Sequence, residues 1–186
     1  MGNLIIAIKS CAAHRYREEL QRSTWATSHT VWFTGPSLGV PDDYESLPAK
    51  VRAMCRDLHK LTEWAFFADT DTYIALDRIL AYKPLHPYIG QKLSQGYASG
   101  GAGYFLSRWA MELVSKAELP KNHHFEDMWV GEVLAGHNIE CVNEPRIQTY
   151  IRCLPDNEVF SQHLTGNDPY ELRMMTMAHW RYMNGR

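Results

Sequence analysis

The chain has 186 residues, which fits one domain with a core of useful size. A content of 45% hydrophobic and 22% charged residues is globular, and a net charge of −2 argues against a general nucleic-acid-binding module, which is usually basic. Cys11, Cys55, Cys141 and Cys153 form no CxxC pair and no zinc spacing, so buried free thiols are the simplest reading, with a Cys141–Cys153 bridge left open.

Residues 4–8 are a continuous apolar run and predict a buried strand. The run is too short for a signal-peptide core or a membrane span. Position 6 is Ile6, where a myristoylation signal on Gly2 needs Ser or Thr, and no Asn-x-Ser/Thr sequon occurs. A soluble, cytoplasmic protein without a membrane anchor is expected. Residues 12–27 read as a helix with Tyr16 and Leu20 on one face, and 30–34 as a second strand. The Gly-, Pro- and Asp-rich stretch 35–48 reads as a loop. Leu47, Val51, Met54, Leu58 and Leu61 recur at helical spacing and predict a helix over 46–63. A third strand is expected at 64–68, a short helix at 77–82, a strand at 88–92, helices at 107–116 and 126–135, and a strand at 139–142. The last fifteen residues carry Arg173, Arg181 and Arg186 against no acid and read as a mildly basic tail. Strand and helix alternate, so the expected class is α/β with a mostly parallel central sheet flanked by helices, in one compact domain over 1–186.

Two carboxylates, Asp69 and Asp71, follow the apolar strand at 64–68. In an extended chain, i and i+2 share one side, which makes a site for a hard divalent cation. Ligands of open α/β sheets bind at the C-terminal ends of strands, where this pair falls. A solvated turn is the bland alternative, because Asp favours turns. The segment Ser99-Gly-Gly-Ala-Gly103 is neither a dinucleotide fingerprint, since Leu106 stands where the third glycine belongs, nor a P-loop. It is either a tight turn or a close wall beside a sugar or its acceptor. Glu126 and Asp127 open an apolar helix, as caps favoured by the dipole or as a carboxylate aimed into a cleft to act as general base. His163, one of nine histidines, is by itself more often structural.

Taken in order, these segments resemble the metal-dependent inverting beta-1,3-glycosyltransferases, the group of Fringe and core 1 galactosyltransferase. Arg22-Ser-Thr-Trp25 is similar to that family's Arg-x-Thr-Trp signature, and Asp69-Thr-Asp71 stands in place of its Asp-Asp-Asp motif. The run Gln95-Gly-Tyr-Ala-Ser-Gly-Gly-Ala-Gly-Tyr-Phe-Leu-Ser107 is similar to the glycine segment of core 1 galactosyltransferases. Glu126-Asp127-Met-Trp-Val-Gly131 matches the Glu-Asp-x-x-x-Gly motif, and Phe160-Ser-Gln-His-Leu164 resembles the Phe-His-Ser-His-Leu segment of Fringe. The resemblance covers about residues 4–165. It departs at Thr70, in place of the middle Asp, and at Ser161, in place of the first His.

The resemblance implies a GT-A, Rossmann-like nucleotide-sugar-binding fold, a UDP-sugar donor and Mn²⁺ or Mg²⁺. It implies direct metal binding by Asp71, with His163 as a second ligand and Asp69 near the metal or the nucleotide ribose. Asp127 becomes the base that deprotonates the acceptor. Arg17, Arg22, Gly100, Gly101 and Glu126 fall at the donor. The donor part is expected at about 1–80 and the acceptor part at about 81–186. The acceptor hydroxyl is open among a glycan, a small glycoside, a protein and a hydroxylated phage DNA base, and the sugar among galactose, N-acetylglucosamine and glucose. A short form without an anchor suggests a bacterial cell or a virus-infected host. Two other functions fit parts of the pattern: a non-catalytic nucleotide-sugar or glycan binder, and another metal-dependent enzyme acting on nucleotide phosphates.

Overall fold

A computed structural model describes residues 4–149, 158–164 and 170–184. Strand β1 (Leu4–Lys9) leads through a 3-10 turn at Ala12–His14 into α1 (Arg15–Thr24). Strand β2 (Thr30–Phe33), the single-turn α2 (Gly35–Leu38) and α3 (Leu47–Leu58) follow. Next come β3 (Trp64–Asp69), β4 (Thr72–Ile74), α4 (Leu76–Ala81), β5 (Tyr88–Gly90) and β6 (Tyr104–Ser107). Helices α5 (Arg108–Lys116) and α6 (Glu126–Ala135) precede β7 (Val142–Asn143), β8 (Ile147–Gln148), β9 (Ser161–His163) and α7 (Tyr170–Asn184).

Six strands form one sheet in the order β2-β1-β3-β6-β5-β7. Five run in one direction, and β6 alone runs against both its neighbours. The expected α/β class, with a mostly parallel sheet between helices, is therefore what the chain adopts. Side chains alternate across each strand. Ile6, Ile8, Phe66 and Phe105 point to the layer of α1, α4 and α7. Ala7, Phe67, Tyr104 and Leu106 point to the layer of α3, α5 and α6. Burial on both faces is why β1 and β3 read as unbroken apolar runs. Phe66 packs on Phe105 at 4.7 Å between ring centroids on one side, and Phe67 stacks on Tyr104 at 5.5 Å on the other. Gly103 enters β6 at φ +93°, and a Cβ there would lie 2.4 Å from the Phe66 ring, so only glycine fits.

The structure departs from the sequence reading in five places. Asp69 and Asp71 do not share an extended strand, because Thr70 and Asp71 form the turn between β3 and β4. The 35–48 loop contains α2, where Thr34 and Ser37 cap each other. The strand expected at 139–142 is Val142–Asn143. A second sheet, β4-β9-β8, went unseen because its strands are two or three residues long, too short for a periodic signal. The basic tail is largely α7, which packs on α1 and β4. Cys55 and Cys141 are buried free thiols, and burial pushes Cys141 up to about 11. Cys153 lies outside the described residues. No helix among the described residues is long and apolar enough to cross a membrane.

Candidate active site

Strands β1 and β3 are parallel and end together, with Lys9 opposite Asp69. Their shared C-terminal edge is where an α/β sheet opens to ligand. Lys9 Nζ lies 3.1 Å from Asp69 Oδ1, pairs with Glu126 Oε1 and donates to the Gly100 carbonyl at 3.3 Å. Glu126 Oε2 accepts from the Tyr104 hydroxyl at 2.9 Å. Burial opposes the Lys9 charge, but Asp69 and Glu126 outweigh it and hold the ammonium well above its ordinary value. Glu126 is raised, because burial and the Asp127 charge together exceed the help from Lys9.

The β3–β4 turn is held from both sides. The Gln21 side-chain amide donates to the Asp69 carbonyl at 3.2 Å, and the Thr72 hydroxyl donates to the Gly101 carbonyl at 2.7 Å. Strand β9 pairs with β4 so that His163 lies opposite Thr72, and the Leu164 amide donates to the Asp71 carbonyl at 2.9 Å. This register brings His163 Nε2 within 3.3 Å of Asp71 Oδ1. Arg17 stands 3.6 Å from Asp71 Oδ2. Burial favours the neutral Asp71, yet His163 and Arg17 prevail and lower it. Burial likewise lowers His163, but the Asp71 bond and charge raise it on balance.

Ligand atoms of Asp69, Asp71 and His163 all lie within 4.8 Å of one another. His163 Nδ1 is buried and makes no hydrogen bond among the described residues. Asp69, Asp71, Glu126 and Asp127 gather about Lys9 and Arg17, so acidic side chains outnumber the lysine and arginine of the cluster. Oxygen and imidazole ligands, a buried imidazole nitrogen without a hydrogen bond and an excess of acidic side chains fit a divalent cation.

Gly100 and Gly101 line this cluster closely. A Cβ on Gly100 would lie 2.6 Å from Glu126 Oε1, and one on Gly101 would lie 2.6 Å from the His163 ring. The Gly100 amide donates to Asp127 Oδ2 at 3.0 Å, and the Met128 amide to Asp127 Oδ1 at 2.8 Å, so the half-buried carboxylate is aimed by the glycine segment and its own helix. Beside the cluster opens a cleft of about 450 Å³, lined by Lys9, His14, Arg17, Tyr44, Asp69 and Asp71 among others. Asp42 and Lys50 close its far side: Lys50 Nζ reaches Asp42 at 2.7 Å and the Ser10 carbonyl at 2.6 Å.

Of the residues singled out from sequence, Asp69, Asp71, His163, Glu126, Asp127, Gly100, Gly101 and Arg17 are brought together. Arg22 is not. It is exposed and stacks on Trp32 at 3.7 Å, while its neighbour Gln21 turns inward to the β3–β4 turn. Lys9, Tyr44 and the Asp42–Lys50 pair went unnoticed. A lone cation closing an apolar strand was the available signal for Lys9.

The fold is that of GT-A-type glycosyltransferases. Two solved structures carry the likeness: a glycosyltransferase involved in the glycosylation of the major capsid of PBCV-1, and the apo-form glycosyltransferase GlyE of Streptococcus pneumoniae TIGR4. The first is 16% identical at a TM-score of 0.58, over 92% of this chain and 100% of that one. The second is 9% identical at 0.51, over 97% and 63%. By sequence, the chain is similar to glycoprotein-N-acetylgalactosamine 3-beta-galactosyltransferase 1 of Xenopus laevis, 44% identical over 61 residues. That match takes in 27% of this chain and 16% of the relative, so the chain spans only a small part of the relative's length. No protein-family model matches the chain.

Proposed function

We propose that the chain is an inverting glycosyltransferase of the Fringe and core 1 type, moving a hexose from a UDP-sugar to an acceptor hydroxyl with a divalent cation, Mn²⁺ or Mg²⁺. The observation that carries this reading is the convergence of Asp69, Asp71 and His163 beside a carboxylate, Asp127, that is held by the glycine segment. Galactose is the favoured sugar, because the relative matched by sequence is named a 3-beta-galactosyltransferase. In this reading most of the donor cleft falls in about residues 1–80 and most of the acceptor side in about 81–186.

Asp71, His163 and Asp69 would hold the cation, which when bound supplies Lewis-acid neutralisation of a departing diphosphate. The chain's own residues do the rest. Lys9 pairs with Asp69 and Glu126, and Arg17 with Asp71, which offsets repulsion among the carboxylates. Asp127 accepts the acceptor's hydroxyl proton as that oxygen forms its bond to the anomeric carbon. The bond from that carbon to the diphosphate breaks on the opposite face, so the configuration inverts. Gly100 fixes the base by its amide, and the missing side chains at Gly100 and Gly101 let Glu126 and the His163 ring pack directly against the glycine segment.

A phosphate-cleaving enzyme would use the acidic cluster but leave the Asp127–Gly100 arrangement without a task. Asp127→Asn is expected to lower transfer by roughly 10²–10⁴-fold while donor binding survives. Steady-state transfer to an acceptor found by screening checks this. Transfer at the wild-type rate in Asp127→Asn would remove Asp127 from the role of base.

A further inference from the structure

One loop lines the cleft with an aromatic ring, and a second loop meets that ring with rings of its own. The segment before α3 carries Tyr44, which lines the cleft together with Asp69, Thr70 and Asp71. The segment before α6 carries His123, His124 and Phe125, the last immediately preceding Glu126 and Asp127. Tyr44 meets His124 edge to face at 5.3 Å between centroids, and His124 meets Phe125 at 4.9 Å. His123 stacks on the Phe125 ring at 6.3 Å. The rings therefore join the two loops in one surface. Tyr44 remains 59% exposed and Phe125 48%, so large apolar faces are left to water at the edge of a charged cluster. Burial, then the charges of Asp127, Asp69 and Glu126, raise the Tyr44 hydroxyl, which places that ring within the field of the carboxylates.

We propose that Tyr44, His124 and Phe125 form the acceptor platform beside Asp127, and that the acceptor they receive is an uncharged pyranose ring of a glycan or glycoside. The proposal rests on the glycosyltransferase reading given above. Aromatic rings carry negative faces that attract the polarised C–H groups on one face of a pyranose, and stacking there leaves the sugar's hydroxyls free to point at a base. The charges next to the rings in sequence select against anions. Asp43 and Glu45 flank Tyr44 in exposed positions, Glu126 and Asp127 follow Phe125, and Lys121 is the single cation on the second loop. A sialylated or phosphorylated acceptor, or a DNA strand, would bring like charge into this field. An isolated serine or threonine side chain offers no ring to stack.

The test begins with an array of neutral, sialylated and phosphorylated oligosaccharides plus hydroxymethylated DNA oligonucleotides, probed with the protein in UDP and Mn²⁺. Capture on neutral glycans is expected. The acceptor KM for the best neutral glycan is then measured for wild type, Phe125→Ala and Phe125→Trp. Phe125→Ala should raise KM roughly 10- to 100-fold with kcat little changed, and Phe125→Trp should restore it. His124→Ala, on the same ring surface, is the second variant should Phe125→Ala fold poorly. Preferential capture of acidic glycans or DNA, or a KM that neither alanine variant moves beyond about twofold, overturns the platform. A UDP-sugar thermal shift separates the two levels. A shift in wild type without neutral glycan capture overturns the platform alone; no shift with any UDP-sugar overturns the reading beneath it.

Discussion

Lys9 is a single cation at the end of an otherwise apolar strand, and its partners decide its effect. Asp69 is its register neighbour, but Glu126 lies 117 positions away in sequence. Removing one partner of a buried ion pair leaves the other charge uncompensated. Lys9→Met should therefore destabilise the metal-free protein by about 3–5 kcal/mol, measured by urea denaturation. A loss below about 1 kcal/mol would show that Asp69 and Glu126 do not depend on it. The acidic residues of the site were legible because they sit in short ordered motifs, Asp69-Thr-Asp71 and Glu126-Asp127. Lys9 was not, since no local pattern announces a partner that only the folded sheet brings near. Arg22 misled for the converse reason: its place beside Trp25 in a motif says nothing of which helix face it takes, and Gln21 holds the inward face.

Among the elements, β1, β3 and the helices α3, α5 and α6 were readable because burial imposes a period or an unbroken apolar run over enough residues. The strand that delivers His163 was not. β9 spans three residues, and its place is fixed by what precedes it. Arg146 pairs with Glu144 through two hydrogen bonds of 2.7 Å, lies 4.1 Å over the Phe160 ring, and accepts from the Phe160 amide through its carbonyl at 2.7 Å. This small clamp sets the entry to β9 and hence the position of His163. Burial works against the Glu144 charge, but Arg146 prevails and lowers it below its ordinary 4.5. A carboxylate lowered in the folded state adds stability that is present above its unfolded value and lost as pH falls through the folded one. Glu144→Gln should thus cost about 1 kcal/mol near neutrality, discounted for the half-exposed Arg146, and the difference from wild type should vanish in acid. Denaturation curves across pH check this; a penalty that persists unchanged in acid would assign it to packing instead of charge.

Over the whole molecule, two helical layers bury both faces of the sheet and leave one edge, the C-terminal ends of β1 and β3, for polar chemistry. The cleft opens there, the glycine segment and α6 pack against the acidic cluster beside it, and the small second sheet brings His163 from another direction. The account stands on one claim: that this edge binds a nucleotide sugar through a cation held by Asp71. The most direct measurement is the thermal unfolding of wild type and Asp71→Ala against a panel of UDP-sugars with and without Mn²⁺. A donor at about 100 times its Kd adds roughly 2.7 kcal/mol, or on the order of 5–10 °C for a domain of this size. The account predicts such a rise for one sugar, only with Mn²⁺, and its loss in Asp71→Ala. A rise of equal size in Asp71→Ala, or none with any UDP-sugar, would contradict it.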